Sequence, residues 1–128
     1  MSNRKDCVWE DLILSMLSVN NYSLERTYLA VETLRNEGLF RPENLMRWSL
    51  GEIEERLQRG GYDRGKFMTT LFASRILSLG VFVKSRGPEQ CEAILQKGDS
   101  SEIKGFLSNV KGIGPKVLDN FHLLRKGR

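Results

Sequence analysis

The sequence predicts an all-α fold in a single compact domain, and three observations predict it. Apolar residues recur at helical rather than alternating spacing along most of the 128 residues. Helix-starting and helix-stopping residues punctuate them at short intervals. Val81-Phe82-Val83, the one β-like run, is too short to found a sheet. Seven or eight short helices covering residues 1–128 follow, with no internal repeat and no low-complexity linker. A composition of 40% apolar residues, 28% charged residues and 3 prolines is that of a chain able to bury one core.

Taken in order, Leu12, Ile13, Met16, Leu17 and Val19 predict a strongly buried first helix over about 9–19, stopping at polar Asn20-Asn21. Ser23 caps a second helix whose Leu24, Tyr28, Val31 and Leu34 share one face, with Gly38 to end it. Pro42 suits the first position of a short helix reaching Trp48. Ser49-Leu50-Gly51-Glu52 reads as a capping box opening a helix that Gly60-Gly61 closes. From Asp63, the residues Phe67, Met68, Leu71, Phe72, Ile76 and Leu79 form an interior-facing stripe up to Gly80, and Pro88 begins a shorter helix ending near Lys97-Gly98. Asp99-Ser100-Ser101-Glu102 is a second capping box ahead of Ile103, Phe106, Leu107 and Val110, and a last helix runs over about 115–125.

The net charge of +4 is not evenly spread: residues 104–128 carry Lys104, Lys111, Lys116, Arg125, Lys126 and Arg128 against Asp119 alone, and the rest of the chain is nearly neutral. A polyanion is the expected partner of that segment. Arg56, Arg59, Arg64 and Lys66 against Asp63 form a second basic cluster. No run approaches the ~18 apolar residues of a membrane span, and the polar start has no signal-peptide core behind it, so an intracellular, cytoplasmic protein without a membrane partner is expected. Cys7 and Cys91 stand far apart without a CxxC, and His122 alone cannot complete a metal cage with them, so no metal site is expected. Trp9 and Trp48, beside leucines, read as core residues rather than base-stacking surfaces, and His122 as a partly buried packing residue.

The informative segment is Val110-Lys111-Gly112-Ile113-Gly114-Pro115-Lys116-Val117-Leu118, within a helix pair over about 101–125. Gly112 and Gly114 permit positive φ and leave no side chain in the way of an approaching group, while Pro115 presets the next helix. The free amides of that helix start, with Lys111 and Lys116 on either side, suit a phosphate. Ile113 would tuck inward and pin the turn.

This run resembles the helix-hairpin-helix element, which grips the DNA backbone without reading sequence. Leu118 departs from it, standing where a small residue is usual, and so implies wider packing of the two helices. Two further stretches extend the likeness to the helix-hairpin-helix DNA glycosylase superfamily, including endonuclease III. Leu12-Ile13-Leu14-Ser15-Met16-Leu17-Ser18-Val19-Asn20-Asn21 resembles its early helix, which would put Asn20 in the duplex. Leu57-Gln58-Arg59-Gly60-Gly61-Tyr62-Asp63-Arg64-Gly65-Lys66 resembles its glycine-aromatic turn. The resemblance implies a glycosylase-like fold and DNA contacts, duplex or damaged, from Lys111, Gly112, Ile113, Gly114, Lys116, Asn20, Arg64 and Lys66. It also implies a monovalent cation on hairpin carbonyls, though no other cofactor.

In lyase members a lysine matching Lys116 is the nucleophile, whereas elsewhere it binds phosphate, and the latter role is favoured here. The aspartate that the family carries beyond the hairpin has no counterpart: Asp119 is the only acid past Glu102 and is expected to pair with Lys116 one turn away. The cysteine quartet of an iron–sulfur cluster is missing as well, so no cluster is expected. The expected function is backbone binding related to base-excision repair without glycosylase activity alone, nucleoid-associated in a bacterial or archaeal cell. The alternatives are a minimal glycosylase or abasic-site lyase using Lys116, with a carboxylate from Asp119, Asp63 or a partner, and a protein-interaction module with an exposed apolar groove. A second subunit or a homodimer would supply a missing pocket wall.

Overall fold

The computed structural model describes residues 7–20 and 22–126, so Asn21, Arg128 and the polar start lie outside it. The described residues are helical, without a strand, in nine helices: α1 Val8–Leu17, α2 Leu24–Tyr28, α3 Val31–Asn36, α4 Pro42–Leu45, α5 Leu50–Arg59, α6 Lys66–Arg86, α7 Pro88–Lys97, α8 Ser100–Leu107 and α9 Pro115–Lys126. Two of them organise the rest. α6 packs on α5, α4, α7 and α1, and α1 packs on α9, α2, α6 and α7.

All ten residues of α1 are buried, as befits a helix apolar nearly all round. Its polar exceptions are matched: Glu10 meets Arg35 of α3 at 2.9 Å, Asp11 meets Arg125 of α9 at 2.9 Å, and the Ser15 hydroxyl donates to the Asp11 carbonyl at 2.6 Å. Trp9 is core, its indole N–H donating to Glu92 of α7 at 2.8 Å, and Trp48 packs half-buried beneath Arg56.

The single helix expected over 24–34 is two, which raises the expected seven or eight helices to nine. The break at Leu29-Ala30 turns α3 against the Gly60-Gly61 corner, where Thr33 donates to the Gly60 carbonyl and a Cβ on Gly60 would lie 2.7 Å from Leu34 Cδ2. Tyr28 consequently leaves the buried face and Leu29 is 88% exposed. Gly38 does end α3, at φ +84, with its N–H on Arg35 O and that of Leu39 on Leu34 O. Pro42 opens a helix that stops at Leu45, short of Trp48.

α6 runs through Gly80 to Arg86 and takes Val81-Phe82-Val83 into the helix. Gly80 is a crossing point: a Cβ there would run into the Leu45 carbonyl of α4. Phe67, expected inside, is 78% exposed on the first turn. By length and composition α6 could cross a membrane, but Thr69, Phe72, Ala73, Ile76, Leu79, Gly80 and Val83 are buried inside the bundle. Of the two capping boxes, Asp99 and Glu102 make both reciprocal bonds. At Ser49 only the hydroxyl cap forms, because Glu52 turns to Arg56.

Candidate nucleic-acid interface

α8 ends at Leu107, and the chain turns through Val110-Lys111-Gly112-Ile113, closed by the Ile113 N–H on the Val110 carbonyl at 3.3 Å. Gly112 is third in this turn with φ +91, the place where a type II turn requires positive φ. Gly114 does not use positive φ; it stands in open space. Val110 is buried and Ile113 half-buried against the core, so the turn is pinned from within as expected. Lys111 and Lys116 are exposed.

α9 is seated on α1 rather than on α8, through buried Val117 and Phe121, with Leu118 half-buried against the core. Buried Asn120 donates to the Ser18 carbonyl at 3.1 Å. This bond fixes α9 against the end of α1, two residues before Asn20, which is exposed at φ +60. Arg64 braces the same corner, donating to the carbonyls of Val19 (2.9 Å) and Asn20 and to the Tyr62 hydroxyl (3.2 Å). Its guanidinium stacks over Tyr22 and over Phe72, and Arg75 covers the Phe72 ring as well at 5.1 Å. The stem of Arg75 runs under the Gly112 turn: a Cβ on Gly112 would lie 2.6 Å from Arg75 Cδ. A continuous set of contacts therefore joins Asn20, Arg64, Phe72, Arg75 and Gly112.

Tyr62 anchors this corner from inside, donating to the Leu17 carbonyl at 2.7 Å. Burial pushes its phenol up to about 12, against the opposing pull of Arg64. Burial also raises the Cys7 and Cys91 thiols, keeping them in the unreactive protonated form.

Other expected residues fall elsewhere. Lys66 is exposed at the start of α6, two residues beyond Arg64. Arg56 and Arg59 do not continue the basic track, since they pair with Glu37, Glu52 and Glu55. Arg125 is spent on Asp11, which lowers the free positive charge of the C-terminal segment. The pairing expected between Lys116 and Asp119 does not form: both are exposed and neither makes an ion pair with another described residue. Asp63 caps the Gly65 N–H at 3.1 Å, and His122 packs half-buried beside Phe121.

No protein family, curated protein or solved structure matches the chain. Among the described residues, no group of three His, Cys, Asp or Glu side chains gathers to hold a metal.

Sequence reasoning missed Arg75 and Asn120. Their signal was a polar side chain at an otherwise buried register of a helix, Arg75 within Phe72-Ala73-Ser74-Arg75-Ile76 and Asn120 between Val117 and Phe121.

Proposed function

We propose that the chain binds DNA by its phosphate backbone in the manner of a helix-hairpin-helix protein, as a relative of the base-excision-repair glycosylases. The observation that carries the reading is the turn over 110–116: positive-φ Gly112, open Gly114, a Pro-started helix, and Lys111 and Lys116 exposed beside it. Amides at the start of α9 take one phosphate and the lysines release counterions, so binding is modest, sequence-independent and steeply salt-dependent. Asn20, held out by Arg64, sits where it can probe an unstacked site. Between Ser108 and Lys116 there is no carboxylate; backbone carbonyls and the Asn109 side-chain amide oxygen are the donors that a weakly held monovalent cation would take.

Lys116 acts as a phosphate ligand. A Schiff-base lysine works as a neutral amine in a desolvated site with a carboxylate at hand, whereas Lys116 is exposed to solvent. The test is borohydride trapping on a duplex with one abasic site, beside anisotropy titration of the same duplex. Wild type and Lys116→Ala are expected to give no covalent adduct, with the variant binding more weakly at ~50 mM salt. An adduct formed by wild type alone would establish a lyase.

A groove of about 420 Å³ lined by Leu24, Glu25, Tyr28, Leu29, Leu123 and Leu124 favours a second reading, in which a further polypeptide covers this face, either another copy or a different subunit. Sedimentation of wild type against Leu29→Lys tests self-association there.

A further inference from the structure

We propose that Arg75 is an additional ligand of the bound nucleic acid, its guanidinium gripping a backbone phosphate beside the hairpin amides; this rests on the DNA-backbone reading above. Among the described residues, five arginines are half-buried: Arg35, Arg56, Arg64, Arg75 and Arg125. Four direct their guanidinium onto oxygen acceptors: Arg35 onto Glu10, Arg56 onto Glu52 and Glu37, Arg64 onto two carbonyls and the Tyr62 hydroxyl, and Arg125 onto Asp11. Arg75 has no hydrogen-bond acceptor and no ion-pair partner among the described residues; its guanidinium lies over the face of Phe72, near enough to the Tyr62 phenol to act on it through space.

A partly desolvated guanidinium without an acceptor is costly, and five donors in a planar fork match the oxygens of a phosphate. Its place is fixed on both sides. Phe72 is wholly buried and bears Arg64 as well, and the stem of Arg75 fits under Gly112 only because that glycine has no side chain. The residue that lets the hairpin turn thus also seats the arginine beside it. In the same set of contacts Arg75 stands between the hairpin and the Asn20 corner, so a strand touching both passes this fork.

The experiment is the affinity of the full chain for a fluorescein-labelled duplex of about 20 base pairs, measured across a series of potassium chloride concentrations. Wild type is compared with Arg75→Gln and Arg75→Lys. Glutamine keeps Cβ, Cγ and Cδ, the atoms that approach Gly112, so the seat of the turn is preserved, and a thermal melt checks that each variant is folded. Arg75→Gln is expected to bind about tenfold more weakly at low salt, with the log–log salt slope reduced in magnitude by about 0.9. Arg75→Lys is expected to keep the slope and lose part of the affinity, since it keeps the charge without the fork. A wild-type slope in Arg75→Gln, whatever its affinity, would overturn the assignment of Arg75 while leaving the DNA reading in place. Failure of wild type itself to bind at ~50 mM salt would remove both, and that result is visible before any variant is made.

Discussion

Tyr62 shows what one side chain contributes here. Its ring lies edge-on between Tyr22 and Phe72 at 5.0 and 6.0 Å, and its hydroxyl closes the end of α1. Because burial lifts its pKa from 10 to about 12, the folded chain holds this proton where the unfolded chain has lost it. Stability from this group is whole below pH 10 and falls as pH rises toward 12, by on the order of 2 kcal/mol. Urea melts at pH 9, 10 and 11 are expected to show this loss, and Tyr62→Phe is expected to flatten it. The same phenol is tied to the Asn20 corner through Arg64, which reaches from its oxygen to the carbonyl of Asn20.

Two glycines inside helices, alike in sequence, behave oppositely at the scale of the element. Gly105 in α8 has nothing near its missing Cβ, so Gly105→Ala is expected to stabilise the chain by about 1 kcal/mol through helix propensity. Gly80 in α6 is where α4 crosses, so Gly80→Ala drives a methyl into the Leu45 backbone and is expected to cost about 2 kcal/mol despite the same propensity gain. Paired denaturant melts of the two variants, shifting in opposite directions, check this. The contrast also explains why the sequence placed a helix end at Gly80. Propensity weighs a glycine by its own strand of chain, while its purpose here is set by a helix thirty-five residues earlier. The caps at Ser23, Ser49 and Asp99 were legible because they are local, and each oxygen is met by an amide three residues on. The positive-φ turn at Gly112 and the helix start at Pro115 were legible for the same reason. The break in the 24–34 stripe was not, because Gly60-Gly61 imposes it from outside; and Arg75 was not, because a sequence does not show which arginines find acceptors.

Across the whole molecule, the ion pair between Asp11 and Arg125 ties the first helix to the last, 114 residues apart. Asp11 has no solvent exposure, so Arg125→Ala leaves a buried carboxylate without its guanidinium and is expected to cost about 3 kcal/mol, measurable as a lowered urea midpoint. DNA affinity at temperatures where the variant is folded is expected to change little, since Arg125 is already neutralised. This pair also explains why charge counting along the chain overstated the basic face: contacts across more than a hundred residues remove charges that look free in the sequence.

The enclosure of α1 has a consequence for how the molecule is made. More of it packs on α9 than on any other helix, and α9 leaves the ribosome last among the described helices. At bacterial or eukaryotic synthesis rates the two are separated by on the order of ten seconds. Throughout that interval α2, α6 and α7 can meet parts of this mostly apolar segment, while the face that α9 closes has no native surface to meet. Nascent chains stalled before Pro115 should therefore engage hydrophobic-segment chaperones, and release from them should coincide with the emergence of α9 and the Gly112 turn that precedes it.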